Sequence, residues 1–219
     1  MNVYYWKIAG IRQMDLQPWT GIISEERLRR AKRFHQEKDR IRCLCAEILL
    51  RYGLAQAGVQ KQDIRFRYQQ SGKPFLEGNH LPYFSISHSG DYVMCAIASE
   101  EIGVDVEQCT DIHSGLAKSV MTSAEYAHYL NLRPNMQNQY FFTVWTCKES
   151  VVKCIGTGLQ TPFPSIEIVT AGKKTQAVKD GKEIYHLWRI PLGGAYCSAV
   201  CMKHEKNVPK VIFVDTEQL

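Results

Sequence analysis

The sequence predicts an α+β protein, and three observations carry that prediction. Apolar residues recur at helical spacing in some stretches and at strand spacing in others, and the two kinds follow in mixed order rather than in regular strand-helix alternation. Ser24, followed by Glu25 and Glu26, reads as a helix start, with a capping side chain and acids where the helix dipole favours them. Ile41, Leu44, Cys45, Ile48, Leu49 and Tyr52 form one apolar stripe, expected to end near Gly53. A turn at "QQSGKP" precedes the strand-like runs "YFSIS", "YVMCAIAS" and "IGVDVE", separated by "HSGD" and "EE". Residues 122–130 and 140–155 read as helices, and "FPSIEIV", "IYHLWRI" and "AYCSAVCM" as strands. The expected break between halves lies near residue 100, giving units 1–100 and 101–219.

The chain has 219 residues, 45% of them apolar and 11% aromatic, enough to bury a proper core. "MNVYYWKIAG" lacks the layout of a signal peptide, and no run approaches the roughly 20 apolar residues that span a bilayer, so a cytoplasmic protein without membrane contact is expected. The eight cysteines form no CxxC pair and sit mostly in apolar segments, as small buried thiols do. They are assigned no chemistry. The net charge of +5 is unevenly spread. Residues 24–42 hold eight Lys or Arg, Arg27 and Arg30 among them, against four acids. Such a run is ordinarily a solvated helix face; the alternative is a site for an anion or an acidic partner.

In "IGVDVEQ", Ile102, Val104 and Val106 alternate with Gly103, Asp105 and Glu107, so a strand here turns both acids to one face. Side chains two apart stand about 6 to 7 Å apart at the backbone, close enough to share a cation. A D-x-E alone more often marks the solvent face of an edge strand. The stretch "VWTCKESVVKCIGTGL" shifts that balance. On a helix Trp145, Glu149 and Lys153 fall nearly in one line, with Lys148 to the side. The plain reading is an exposed Glu149–Lys153 pair. Phe141, Phe142, Val144, Val151 and Val152 argue instead for a buried segment, where ionised groups need partners. Glu149 meeting Asp105 and Glu107 would complete an oxygen-rich site for a hard cation, with Lys153 holding an anion that the cation also binds: Mg²⁺ with a phosphate. "SISHSG" adds Ser87, His88 and Ser89 in a turn whose hydroxyls and N–H groups can converge on an anion, although serine and glycine are ordinary turn residues. In "TSAEY", Glu125 stands three residues after Thr122, the spacing of a capping box, which suffices to explain it.

Taken together, "SGKPF", "FSISHSGDYVMCAIAS", "IGVDVEQ" and "VWTCKESVVKCIGTGL", in this order, resemble the 4'-phosphopantetheinyl transferases of the Sfp type, from about residue 22 to about residue 168. The resemblance implies two similar α+β halves about a pseudo-twofold axis, with coenzyme A between them. It implies Asp105, Glu107 and Glu149 as Mg²⁺ carboxylates, and Lys153, Ser87 and His88 at the pyrophosphate. Gly72, Lys73 and Pro74 fall at the adenine, and Arg27 and Arg30 at the 3'-phosphate. Cys43 stands where the family often has a hydroxyl. Glu125 matches an acid near the active site and is counted with Glu149 and Lys153 among the catalytic candidates. The implied reaction is Mg²⁺-dependent transfer of phosphopantetheine from coenzyme A to a serine of an apo acyl or peptidyl carrier protein, releasing 3',5'-ADP, by a monomer that binds no nucleic acid. The alternatives are a metal-dependent nuclease or phosphodiesterase, which would need a longer basic stripe, and a binder whose three carboxylates lie apart. Residues 111–130, with Ile112, Leu116, Val120, Met121 and Tyr129, could dock a carrier helix or could equally be plain core.

Overall fold

The computed structural model describes residues 1–172 and 174–219. Along the chain, β1 (Asn2–Lys7) leads to α1 (Glu25–Lys32), α2 (Glu37–Gln56), a hairpin of β2 (Phe66–Tyr68) and β3 (Pro74–Leu76), then β4 (Tyr83–Ser89) and β5 (Tyr92–Ala98). The second half runs β6 (Ile102–Gln108), α3 (Ser114–Val120), α4 (Ser123–Asn131), α5 (Pro134–Ile155), β7 (Ile166–Ala171), β8 (Lys174–Lys179), β9 (Glu183–Arg189) and β10 (Tyr196–Met202), with β11 (Lys210–Phe213) last. One sheet has the order β11-β1-β5-β4 and the other β6-β10-β9-β8-β7, so the α+β class holds in two halves that part between β5 and β6. Strand β11 returns to lie parallel beside β1, and the first sheet is therefore completed by residues from beyond position 200.

Each half is a sheet crossed by one long helix. Ser24 caps α1 as its sequence implies, accepting from the Arg27 N–H at 3.2 Å. Gly53, by contrast, does not stop α2, which continues to Gln56. A Cβ at Gly53 would lie 2.8 Å from Ile97 and 3.1 Å from Tyr4, so the glycine lets the helix press against β1 and β5. In the second half Pro134 opens α5, where the missing N–H costs nothing, and Gly156 closes it in the left-handed conformation at φ 82°. Helix α5 crosses β6 and β10, burying Cys147, Val151 and Cys154 against Ala199 and Cys201. All eight cysteines are free thiols.

Lys148 points away from the Glu149 side of α5 and is fully buried. Its ammonium donates to Glu125 Oε2 at 2.6 Å, the Val120 carbonyl at 2.9 Å and the Phe163 carbonyl at 3.2 Å. Glu125 also accepts from the N–H groups of Thr122 and Ile168 at 2.8 and 2.9 Å. Burial pushes the Lys148 pKa down while Glu125 pushes it back up, so each charge depends on the other. Lys148→Met strands the Glu125 carboxylate, and the expected cost is about 3 to 5 kcal/mol. For a chain of this size that should appear in a thermal melt as a fall of roughly 10 °C. A melt unchanged within 2 or 3 °C, roughly the effect of 1 kcal/mol, would show that the pair is dispensable.

Of the two readings of segment 111–130, plain core holds for three of its five apolar residues. Val120, Met121 and Tyr129 are core residues packed with Phe141, Phe142 and Val144. Leu116 and Leu130 are the large apolar side chains of this stretch left exposed.

Candidate active site

The alternation in β6 buries both of its faces. Ile102, Val104 and Val106 pack with Met94, Ala96, Val200 and Met202, while the Gly103, Asp105 and Glu107 side lies under α5. Asp105 is only 2% exposed, so the solvent-face reading of the D-x-E is excluded. Helix α5 sets Glu149 and Lys153 over this face, but they do not pair with each other as an exposed i,i+4 couple would. Lys153 Nζ reaches across to Asp105 Oδ1 at 2.6 Å and Ser87 Oγ at 3.0 Å. The Ser87 hydroxyl donates to the same Oδ1 at 2.8 Å.

Electrostatics shows the three carboxylates to be neighbours. Burial raises the Glu149 pKa, with the charge of Asp105 adding to the rise. Glu107 is likewise raised by burial and then by Asp105, Glu149 adding a smaller share. The three carboxylates therefore lie close enough to feel one another's charge. Among the described residues, no three His, Cys, Asp or Glu side chains are arranged so as to hold a metal ion as they stand. Asp105 Oδ2 is nevertheless buried with no hydrogen-bond partner, an unusual condition for a carboxylate oxygen.

Beside this cluster stands a cationic group. The His88 pKa is pushed down to about 4, first by burial and then by Lys153 and Arg42, with Arg27 contributing. His88 is thus neutral at pH 7, and its Nδ1 is buried without a partner. Arg42 carried no signal in the sequence beyond its place in the basic run; here it donates to the Gly90 carbonyl at 3.1 Å and pairs with Asp39. Arg27 is buried and Arg30 exposed on α1. Burial raises the Tyr68 pKa, and both arginines oppose that rise, which places them over β2. Glu47, also unremarked in the sequence, is 1% exposed and accepts from Ser24, Arg51 and, at 3.4 Å, Arg27. Arg27 Nη1 lies 3.9 Å from Cys43 Sγ, a weak contact.

A cavity of about 670 Å³ joins the halves. Gly72, Lys73 and Pro74 line one side, and Glu149, Lys153, Trp145 and Phe163 the other. Lys73 spans the seam, bonding Glu101 and, at 3.1 Å, the Cys154 carbonyl. The sequence candidates Asp105, Glu107, Glu149, Lys153, Ser87 and His88 are thus brought together, with Lys73 and Pro74 along the cavity and Arg27 and Arg30 on the neighbouring helix. Glu125 is elsewhere, with its oxygens engaged by Thr122, Lys148 and Ile168. Acids that repel one another beside fixed cations suit a phosphorylated anion held together with a divalent cation.

Comparison with known proteins agrees with this chemistry. Residues 101–201 match the family described as the 4'-phosphopantetheinyl transferase superfamily, and residues 12–101 the N-terminal family of 4'-phosphopantetheinyl transferase. The chain is 31% identical over 222 residues to 4'-phosphopantetheinyl transferase Sfp of Bacillus subtilis (strain 168), covering 97% of this chain and 99% of that one. It is 36% identical over 169 residues to 4'-phosphopantetheinyl transferase ffp of Bacillus subtilis, covering 74% and 75%. With 4'-phosphopantetheinyl transferase gsp of Aneurinibacillus migulanus it shares 33% over 162 residues, covering 74% and 68%.

Proposed function

The chain belongs to the 4'-phosphopantetheinyl transferase superfamily, and on that premise we propose how its residues move phosphopantetheine from coenzyme A to a carrier-protein serine. The serine oxygen attacks the β-phosphorus of the pyrophosphate, forming the new P–O bond as the bond to 3',5'-ADP breaks. The observation that carries this reading is the bridge from Lys153 to Asp105 and Ser87 beside an unpartnered Asp105 Oδ2.

That orphaned oxygen, and the rise that Asp105 imposes on Glu107 and Glu149, fit Mg²⁺ as the missing partner, held by Asp105, Glu107 and Glu149. When bound it would offset the charge that builds on the leaving phosphate. Lys153 supplies a second positive charge for the pyrophosphate, its ammonium already placed by Asp105 and Ser87. His88, neutral and with Nδ1 free, offers the phosphates a ring nitrogen without adding a carboxylate's repulsion. Glu149, whose raised pKa makes it a better proton acceptor than an ordinary carboxylate, takes the serine proton directly or through water. Lys73 and Pro74 flank the adenine from the cavity wall. Glu125 serves as a positioning residue: through Lys148 it braces the wall at Val120 and Phe163, and it holds the Thr122 and Ile168 N–H groups directly. Incubation with coenzyme A, Mg²⁺ and an apo carrier protein tests the whole: the carrier gains one phosphopantetheine by mass, and no gain in any apo peptidyl or acyl carrier refutes it.

The basic segment acquires its role in the same reading. A 3'-phosphate needs fixed positive charge, and Arg27 and Arg30 lie three apart on one helix, Arg27 steadied by Glu47. A charge-assisted contact contributes roughly 1.5 to 3 kcal/mol where it is buried, as at Arg27, and less where it is exposed, as at Arg30. The Arg27→Ala, Arg30→Ala double variant is expected to weaken coenzyme A by about one to three orders of magnitude while hardly affecting 3'-dephospho-coenzyme A. The ratio of kcat/KM values for the two donors reads this directly. An equal loss for both donors would return these arginines to a general electrostatic role.

A further inference from the structure

The seam between the two sheets is built of serine hydroxyls. Strand β6 pairs with β10 along one edge. Along the other, the N–H groups of Val104, Val106 and Gln108 are accepted by the hydroxyls of Ser85, Ser87 and Ser89 of β4, at 3.0, 3.3 and 3.1 Å. Period two on both strands produces this register, each hydroxyl taking the place that a carbonyl of a neighbouring strand would fill. A hydroxyl that has accepted still has its own proton to donate. Ser87 gives it to Asp105, and Ser89 gives it to Glu107 Oε2 at 2.7 Å. Opposite Ser85 the same face of β6 carries Gly103, which has nothing to receive it. The seam therefore repeats one backbone contact three times and adds a carboxylate contact at two of them.

We propose that Ser89 is a positioning residue for Glu107. Its hydroxyl is fixed by the Gln108 N–H and in turn holds Oε2, leaving Oε1 as the oxygen free for a cation. The inference rests on the cation reading of the preceding subsection and concerns a serine whose own proton is spent on a carboxylate. Seam and carboxylate are thereby linked: the bond that aligns β4 with β6 also sets the rotamer of Glu107.

The test separates aligning the strands from aiming the carboxylate. Mn²⁺ is titrated into the full chain by electron paramagnetic resonance, with saturating coenzyme A and no carrier, and each variant is also melted. Ser85→Ala leaves the buried Val104 N–H unmatched, whereas Ser89→Ala frees a Gln108 N–H that can return to water, so Ser85→Ala should lower the melting temperature at least as much. Only Ser89→Ala should weaken Mn²⁺, by about 10- to 100-fold, the usual loss when the partner of a ligand is removed. The apparent Mg²⁺ requirement of transfer should rise in parallel, with KM for the carrier unchanged. Ser89→Cys fills nearly the same space with a weaker donor and covers the case in which alanine does not fold; about tenfold weaker Mn²⁺ is expected. Unchanged Mn²⁺ affinity in the folded Ser89 variant, or an equal loss in Ser85→Ala, overturns the inference. Asp105→Asn runs alongside. If it keeps wild-type Mn²⁺ affinity the cation reading itself falls, whereas if it loses Mn²⁺ and Ser89→Ala does not, only the role of Ser89 falls.

Discussion

Asp105→Ala is expected to lower kcat/KM for transfer by roughly a thousandfold or more, the equivalent of several kcal/mol at the transition state. Three functions meet on this one carboxylate. Oδ1 holds both the Lys153 ammonium and the Ser87 hydroxyl, and Oδ2 is kept dry with no protein donor of its own. Alanine releases Lys153, removes the most buried of the three carboxylates proposed for the cation and leaves Ser87 to choose a new acceptor. The fold should survive, because each surviving group has another recourse. The Lys153 side chain is 30% exposed and can return to water, and the Ser87 hydroxyl still accepts the Val106 N–H. Removing one of three repelling charges also relieves Glu107 and Glu149. A carrier-mass time course at saturating Mg²⁺, with a melt of the same sample, decides the matter. Transfer within tenfold of wild type would show that Asp105 is not where donor and cation meet.

How legible these features are in the sequence depends on the range of the interaction behind them. Local signals are accurate: the Ser24 cap, the Thr122–Glu125 capping box and the D-x-E alternation describe contacts within four residues, and each forms. Strand β1 is harder to read because Val3, Tyr4 and Trp6 are all buried, on two faces, and leave no clean alternation. In β8, "KTQAVK" is mostly polar, and only Ala177 is fully buried. Strand β11 has four residues, and its pairing with β1 spans most of the chain. Gly53 resembles a stop because glycine ends helices, but its actual reason is the approach of Tyr4 and Ile97 from distant strands.

The same division runs through the site. The Glu149 and Lys153 spacing announces one helix face, and only the fold shows that Lys153 turns from Glu149 to Asp105, 48 residues away. Lys148 and Glu125 are 23 residues apart, and their burial is a property of the packed core, so the capping box accounts for half of what Glu125 does. Met121 resembles a partner-facing residue because apolar side chains in a short amphipathic run look alike whether they face a carrier or a core. Glu47 lies off the apolar stripe but inside the run 43–50, every residue of which is buried, and a lone carboxylate in so apolar a run is itself a signal. A carboxylate there must be matched, and Arg27, Arg51 and Ser24 match it.

Gly103→Ala is expected to cost about a hundredfold or more in kcat, a loss approaching that of a carboxylate, although glycine has no chemistry. A Cβ at residue 103 would stand 1.8 Å from the Ser150 carbonyl oxygen and 2.5 Å from the Cys154 N–H nitrogen, both backbone atoms of α5. No rotamer change relieves a clash with backbone, so helix and strand must separate by an ångström or more. Overpacking of this kind costs about 1 to 3 kcal/mol, and sometimes more, in stability. The catalytic loss should be larger, because α5 carries Glu149 one residue before the clash and Lys153 three after it. Moving the helix off β6 opens the 2.6 Å contact between Lys153 and Asp105 and draws Glu149 from the other carboxylates. Misplacement by 1 Å costs about a hundredfold in reactions that depend on positioning. Gly103→Ala should therefore fold with a lowered melting temperature and lose about a hundredfold or more in kcat, with KM for coenzyme A changed far less. Gly53→Ala, whose Cβ would stand 2.8 Å from Ile97 and 3.1 Å from Tyr4 in the first half, crowds a helix against a sheet without touching β6 or α5 and serves as the comparison. If the two variants lose stability and kcat in the same proportion, the close approach at Gly103 matters only for folding. If Gly103→Ala loses far more kcat for the same fall in melting temperature, the contact between β6 and α5 is what registers the catalytic groups.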